Sequence, residues 1–310
     1  MILIPKPGEV LSRSIDDYPE GIILPVDKPY RWTSADVIRK LKYAAIKHFG
    51  KKNLKVGHAG TLDPLATGVL LVCIGNACKM AQQFQDTDKE YIAGIRFGAT
   101  TPSYDLEKNV DRLFPYEHIT ADAVRAALPA FLGQQEQIAP LFSAKSVDGV
   151  RAYELARKLY RKSLTPGLTG NLPDFDSAAL ETLHRSRITI TELELLEFVE
   201  AGRDSLPETC APPHTGRGVE QSGTEFSERE SLPASASSRI NVSDTSGMGL
   251  PEAVIRIACS KGTYIRAFAR DLGEALGSGA HLGSLIRSRS GQFRVSESLS
   301  VTEALSLLAQ

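Results

Sequence analysis

Long apolar segments and metal-binding spacings are both missing from this chain of 310 residues. No run of 18 apolar residues occurs, so we expect no membrane-spanning helix. The first residues lack the apolar core of a secretory signal, which predicts a cytoplasmic protein. Cysteine is scarce, and its four positions show neither C-x-x-C spacing nor histidines at zinc-site distances. We therefore expect reduced thiols and no structural metal.

Excess charge is also missing, because 36 Lys and Arg residues face 37 Asp and Glu residues. A near-zero net charge argues against a nucleic-acid-binding protein, but the local distribution argues for one. Residues 28–58 contain nine Lys or Arg residues and one acid, Asp36. A solvated helix face and a phosphate-binding surface explain this segment equally well, so charge alone leaves both interpretations open.

The hydrophobic pattern predicts strands and helices without the regular spacing of βαβ units. Helices are expected after the capping residues Thr33 and Thr120, the second running to Phe131 and ended by Gly133. Apolar or alternating segments predict strands at 22–26, 69–74, 89–97, 188–198 and 251–258. The irregular order of these elements favours an α+β fold.

Two polar segments interrupt this pattern, a large one at 202–249 and a smaller one at about 164–179. The large segment is rich in Ser, Gly, Pro, Thr and Glu, and its single aromatic residue is Phe226. Such a composition buries too little apolar surface to offset the entropy of ordering. We predict a disordered insertion at the tip of a β-hairpin. Residues 1–20 are then an N-terminal extension, and residues 21–310 form one catalytic domain.

The stretch Gly57–Gly68, with the sequence GHAGTLDPLATG, carries a single carboxylate, Asp63, on a glycine-rich turn. An isolated aspartate in such a turn is most often a turn former or a helix cap. The same arrangement can also present a nucleophile or a general base at the floor of a cleft. The segment alone does not decide between these interpretations.

Further motifs accompany this segment in the order Val26–Pro29 (VDKP), Lys89–Tyr91 (KEY), Lys261–Arg266 (KGTYIR) and Leu285–Gly291 (L-x-R-x-x-x-G). Together they resemble the TruB family, the tRNA pseudouridine-55 synthases, over roughly 21–293. The resemblance implies a pseudouridine synthase catalytic fold. That fold is a mixed, mostly antiparallel sheet with flanking helices and a central RNA-binding cleft.

The resemblance also implies an isomerase that converts uridine 55 in the T-loop of tRNA to pseudouridine without a metal or other cofactor. The expected partner is the T-arm of tRNA, and the expected state is a monomer that contacts no membrane. Two alternatives stay open, an RNA-binding tRNA-folding chaperone without catalysis and a guide-RNA-dependent synthase. Only 19 residues follow Gly291. The C-terminal PUA domain of many relatives is therefore expected to be missing, which favours a standalone bacterial-type enzyme.

The family assigns roles to individual positions of this sequence. By resemblance Asp63 is the nucleophile, attacking either C6 of the base or C1′ of the sugar, and Arg266 is its cationic partner. Tyr91 stacks on the target base and helps to remove the C5 proton. The remaining substrate contacts implied are a histidine inserted into the T-loop (His58), two walls of the uracil pocket (Tyr264 and Leu285) and a lysine supporting the catalytic loop or a phosphate (Lys28). The sequence departs from the family at Arg31, which replaces the glycine of D-K-P-x-G-x-T-S.

Overall fold

A computed structural model describes residues 2–143, 146–147, 150–163, 185–202, 240 and 242–309 of the protein. The chain forms two compact units. Among the described residues, the first unit comprises 2–91, 240 and 285–309, and the second comprises 92–202 with the gaps just given and 242–284. In the described part of the chain, no helix combines the length and the apolar character needed to cross a membrane.

The helices are α1 (Ser34–Phe49), α2 (Ala81–Gln85), α3 (Ala121–Ala127), α4 (Ala152–Ser163), α5 (Ile265–Ala275) and α6 (Val301–Leu307). The strands are β1 (Ile22–Lys28), β2 (Val56–Ala59), β3 (Thr67–Ile74), β4 (Lys89–Phe97), β5 (Ala99–Thr100), β6 (Arg112–Leu113), β7 (Gly133–Gln137), β8 (Ser146–Val147), β9 (Val150–Arg151), β10 (Ser186–Val199), β11 (Glu252–Cys259), β12 (Ala280–Ser290) and β13 (Phe293–Arg294). The unit boundaries fall within β4 and β12.

The first unit is built around the antiparallel pair of β1 and β3, with Ile22 opposite Ile74 and Lys28 opposite Gly68. Strand β2 adds to β3 in antiparallel fashion, whereas β12 runs parallel to β3 with Ile286 opposite Thr67. The sheet is therefore mixed but mostly antiparallel, as predicted.

Both faces of the β1–β3 pair are covered, which explains their continuous apolar sequences. Alternate residues of these strands pack against α1 and α6 in one core cluster, where Leu24 and Val72 meet Leu41 and Leu307. The intervening residues, such as Val69, pack with Phe293 and others on the other face. Helix α1 begins as predicted, because the side chains of Thr33 and Asp36 each accept a hydrogen bond from the other's backbone amide.

The second unit contains an antiparallel arrangement in which β10 pairs with both β11 and β7. One prediction is wrong here, because the helix that begins after Thr120 stays α-helical only to Ala127 and then tightens to a 3-10 turn at Leu128–Phe131. Pro129 has no amide hydrogen to continue the α-helical ladder. Gly133 is the first residue of β7 rather than a helix terminator.

The predicted insertion at 164–179 lies outside the described residues, as does most of the segment 202–249. The described end of the larger segment, residues 242–249, is anchored in the second unit. Arg96 donates to the hydroxyl of buried Thr245 at 2.7 Å, and the Ser243 amide donates to the Leu106 carbonyl at 2.8 Å. Because these contacts offset the ordering entropy, residues 242–249 belong to the folded unit.

Candidate active site

Asp63 lies on the turn between β2 and β3, and its preceding residue is held by two hydrogen bonds. The Leu62 amide donates to the Ser34 hydroxyl oxygen at 2.9 Å, and that hydroxyl donates to the Leu62 carbonyl at 3.0 Å. Ser34 is buried at the first position of α1. The Ala66 amide closes the turn by donating to the Asp63 carbonyl at 3.1 Å. The start of α1 thus fixes a turn that leaves the Asp63 side chain half-buried.

Lys28, at the end of β1, supports the other side of the same turn. Its side chain is completely buried, and its ammonium donates to the carbonyls of Pro29 at 2.9 Å, Trp32 at 2.6 Å and Pro64 at 3.2 Å. All three protons of the ammonium are therefore used. The bond to Pro64 ties the residue after Asp63 to β1.

Burial distinguishes the two roles that the sequence left open for Lys28. A completely buried ammonium is not available to a phosphate at the surface, so the contacts favour support of the loop. Burial lowers the pKa of Lys28 to about 7, although the nearby negative charge of Asp63 raises it. The negative charge of the candidate nucleophile therefore favours the charged form of Lys28.

Arg287, on β12, holds both ends of the Asp63 turn at once. Its guanidinium donates to the carbonyls of Gly60 at 3.2 Å, Thr61 at 3.3 Å and Val69 at 2.7 Å, and only 2% of the residue is exposed. Strand β12 approaches β3 so closely at Gly68 that a Cβ atom on this glycine would lie 2.3 Å from the carbonyl oxygen of Arg287. Gly68 also has a φ of 102°, so a side chain is excluded on two grounds.

His58 lies on β2 opposite Val72, five residues before Asp63. Burial and the positive charge of Arg287 lower the pKa of its imidazole, although a backbone contact at Gly60 raises it. The ring is therefore predominantly neutral at pH 7. Its Nδ1 atom is buried and, among the described residues, has no hydrogen-bond partner.

Tyr91 is half-buried near the start of β4, and its two preceding residues anchor the strand there. The buried ammonium of Lys89 donates to three carbonyls at the end of α2 and in the turn after it, those of Phe84, Gln85 and Thr87. Glu90 accepts a hydrogen bond from the Ser288 hydroxyl at 2.8 Å. Leu285, also in the first unit, is buried on β12 immediately before the residue that pairs with Thr67.

Arg266 is the second residue of α5 and lies in the second unit. Its Nη1 donates to the carbonyls of Ser103 at 3.1 Å and Phe142 at 3.0 Å, and its Nε lies 3.6 Å from a carboxylate oxygen of Asp105. Asp105 also accepts from the Ser103 hydroxyl at 2.6 Å. The second unit therefore holds this buried arginine rigidly. The pairing of Arg266 with Asp63 stays a prediction.

Tyr264 directly precedes α5, and a side-chain amide holds its backbone. The Tyr264 amide donates to Gln137 Oε1 at 2.9 Å, and Gln137 Nε2 donates to the Tyr264 carbonyl at 3.2 Å. The tyrosine packs against a small apolar cluster that includes Leu141 and Phe142. Its backbone and ring are both positioned within the second unit. The role of Tyr264 as a pocket wall stays a prediction.

Comparison with known proteins identifies the group to which the chain belongs. The sequence profile of "TruB family pseudouridylate synthase (N terminal domain)" matches residues 46–166. The tRNA pseudouridine synthase B of Phocaeicola vulgatus is 43% identical over 285 residues, which cover 92% of each chain. The protein of the same name from Deinococcus radiodurans is 34% identical and covers 90% of this chain and 77% of its own. The chain belongs to the TruB family of pseudouridine synthases.

Membership of the TruB family confirms the predicted enzyme class, an isomerase that converts uridine to pseudouridine. Solved structures extend the likeness to the fold. "Crystal Structure of a Cbf5-Nop10-Gar1 Complex" matches with a TM-score of 0.54 and 20% identity, and "Structure of H/ACA RNP bound to a substrate RNA containing 2'-deoxyuridine" matches with 0.50 and 19%. They cover 97% and 93% of this chain, which spans 58% and 53% of theirs. The α+β fold prediction is confirmed.

Two buried charged residues have structural roles that the sequence did not reveal. The sequence pattern marked Arg287 only as the arginine of L-x-R-x-x-x-G and assigned no role to Asp105. A buried arginine amid apolar strand residues was the available signal for Arg287, since such a group needs several acceptors. At Arg31 the backbone keeps the left-handed conformation that a glycine would adopt, with φ 63°. The exposed guanidinium donates to the Ile240 carbonyl at 3.0 Å.

Proposed function

We propose that the protein is a tRNA pseudouridine synthase that isomerises the uridine at position 55 of the T-loop, with Asp63 as its nucleophile. The names of the TruB relatives support tRNA as the substrate. The observation that carries the assignment of Asp63 is the support of its turn by three buried side chains from different elements, Lys28, Ser34 and Arg287. A solvent-exposed turn former would not require such support.

The chemistry demands a fixed and ionised carboxylate. Asp63 attacks the nucleoside at C6 or C1′, the glycosidic bond breaks, and the uracil rotates and rejoins the sugar through C5. Asp63 is then released, the C5 proton is removed and N1, now free of the sugar, takes up a proton, so substrate and product have the same composition and no oxidant or reductant is consumed. A turn held on both sides keeps the carboxylate within attacking distance, and misplacement by about 1 Å can cost roughly 100-fold in rate.

The aromatic residues of the first unit suit the extrusion of the target base. Removing a base from its stack costs a few kcal/mol. Each base stacked on an aromatic ring returns about 1–3 kcal/mol. Tyr91 against the uracil and the neutral ring of His58 in the vacated position would together roughly offset the cost. Leu285 and Tyr264 are proposed as walls of the uracil pocket, and Arg266 as the cationic partner of Asp63.

The decisive experiment incubates the purified protein with an unmodified tRNA transcript and maps pseudouridine at single-nucleotide resolution. We expect modification at uridine 55 without any added guide RNA, and none in a transcript carrying cytidine at that position. The variant Asp63→Asn should form no product while binding tRNA with unchanged affinity. Asp17→Asn, which makes the same change at an exposed carboxylate of the same unit, serves as the matched control and should retain activity.

Each alternative function predicts a different result. A wild-type protein that binds and refolds tRNA but forms no pseudouridine would be a chaperone without catalysis. Modification only after addition of a guide RNA would indicate the guide-dependent class. Asp63→Asn turning over at a tenth of the wild-type rate would refute the nucleophile assignment.

A further inference from the structure

One face of α1 is positively charged and exposed along its whole length. Arg39, Tyr43 and Lys47 are exposed at intervals of four residues, and the exposed Lys42 directly precedes Tyr43. Residues three or four apart on a helix are neighbours, with Cβ atoms about 5–6 Å apart. Three exposed lysines, Lys51, Lys52 and Lys55, continue this charge into the connection to β2. We call this surface the basic face of α1.

The packing of the helix does not explain these residues. The opposite side of α1, including Val37, Leu41 and Ala45, fills the core of the first unit. Carboxylates neutralise part of the basic face, since Arg39 pairs with Asp36 at 2.9 Å and Lys51 with Asp16 at 3.1 Å. For the other four lysines, Lys42, Lys47, Lys52 and Lys55, the described residues provide no carboxylate partner.

Tyr43 is the unexpected member of this surface. It is 75% exposed although it lies in the middle of a helix whose other large apolar side chains are at least partly buried. A purely solvated face gains nothing from a large exposed ring. Between Arg39, Lys42 and Lys47, the ring is a stacking surface surrounded by cations, which is the combination that single-stranded or unpaired nucleotides bind.

We propose that the basic face of α1 binds the backbone of the substrate RNA outside the target nucleotide. Lys42 and Lys47 contact phosphates, and Tyr43 stacks against a base or ribose edge. The inference rests on the proposed tRNA substrate, which it extends to a second contact area in the unit that carries Asp63. The formal net charge of −1 makes such a local surface necessary, because the whole chain does not attract RNA.

The composition of the face favours RNA over the other anionic partners. A protein partner usually meets an apolar interface core, and the exposed positions of α1 offer one aromatic ring among cations instead. A membrane-surface helix needs a free apolar stripe, but the apolar stripe of α1 is already buried in the core. Phosphates with stackable bases satisfy both the cations and the ring.

The test measures binding of a tRNA transcript across a series of KCl concentrations. For Lys42→Gln with Lys47→Gln we expect about tenfold weaker binding and a salt slope smaller by roughly 1.5, since each lost phosphate contact removes about 0.7–0.9. Tyr43→Ala should bind about fivefold more weakly without a change in slope, and Tyr43→Phe should bind like wild type. Lys6→Gln with Lys79→Gln removes the same charge from exposed sites elsewhere in the first unit and should leave binding unchanged.

The turnover number with saturating tRNA should stay at the wild-type value in every variant, because the face is separate from the chemistry. Thermal melting confirms folding. Unchanged affinity and salt slope in the double lysine variant, or an equal loss in the Lys6 and Lys79 control, would overturn the inference while leaving uridine 55 modification intact. A wild-type protein that forms no pseudouridine refutes the proposed function instead, and the binding series still decides the role of the face.

Discussion

The ammonium of Lys28 donates a hydrogen bond to the carbonyl of Pro64 at 3.2 Å, so a completely buried cation is joined to the residue that follows Asp63. The same ammonium also binds Pro29 and Trp32 and thereby closes the turn that leads into α1. One side chain thus connects β1, the start of α1 and the Asp63 turn. A change in the length or protonation of this side chain therefore alters the support of the Asp63 turn through the bond to Pro64.

Replacing Lys28 by methionine should therefore impair turnover more than binding. Methionine fills a similar volume but leaves three buried carbonyls without a donor, which costs about 1–3 kcal/mol for each group left unsatisfied. The Asp63 turn then loosens, and we expect kcat to fall by roughly 100-fold while KM for tRNA stays within about twofold. Lys79→Met, at an exposed site in the same unit, is the control. A Lys28→Met enzyme with wild-type kcat would exclude the supporting role.

Lys28 should also make the stability of the protein depend on pH. Its pKa is about 7 when folded but near 10.5 when unfolded, so the unfolded state binds more protons between these values. The free energy of unfolding should accordingly rise with pH from about 7 to 10, with a limiting slope near 1.4 kcal/mol per pH unit. Urea denaturation of wild type and Lys28→Met at several pH values measures the effect. Parallel pH profiles for the two proteins would contradict it.

Arg287→Lys tests whether the planar guanidinium, rather than its charge, holds the Asp63 turn. A lysine keeps the charge but cannot span three carbonyls with a fixed fork of donors. We expect about 2–3 kcal/mol lower unfolding free energy from the unmet buried acceptors and a large loss of kcat. Arg289→Lys, two residues further along β12 and bonded to Gly291, should change neither quantity appreciably. Equal unfolding free energies and equal kcat values for the two variants would mean that the Arg287 guanidinium does not support the Asp63 turn.

Arg31→Gly should stabilise the protein. Arg31 has a φ of 63°, a conformation that costs a residue with a side chain about 1 kcal/mol and costs glycine nothing. Part of this gain is lost to the greater freedom of glycine in the unfolded chain, so we expect an increase of roughly 0.5 kcal/mol in urea denaturation. Arg31→Ala keeps the strain and should not stabilise. A destabilised Arg31→Gly would show that the bond to Ile240 outweighs the strain.

The sequence predicted the local features of the first unit well. The structure confirms the capping box at Thr33, the buried strands β1 and β3 and the full extent of β4. Each of these features depends on a short stretch of sequence. The importance of Asp63 was suggested by an improbable local pattern. Such features can be predicted because each depends on residues within a few positions of one another.

The contacts that fix the site could not be predicted, because they join distant parts of the chain. The bond from Lys28 to Pro64 spans 36 residues, and that from Arg266 to Ser103 spans 163. The pattern around Lys28 did not reveal that its ammonium is buried, since an isolated lysine in a strand end is usually exposed. Composition also misplaced residues 242–249 within an insertion, because the hydrogen bond from Arg96 to Thr245 is invisible in the sequence.

The hydrogen bonds from Arg287 to the Asp63 turn can form only late in the synthesis of the protein. The carbonyl of Thr61 accepts a hydrogen bond from Arg287, which lies 226 residues further along the chain. At synthesis rates of about 5–20 residues per second, roughly 10–45 s pass between the synthesis of Thr61 and the synthesis of Arg287. During that interval the strands that frame Asp63 can already pair, but the turn itself lacks its last support. We therefore expect isomerase activity only after β12 has left the ribosome and paired with β3.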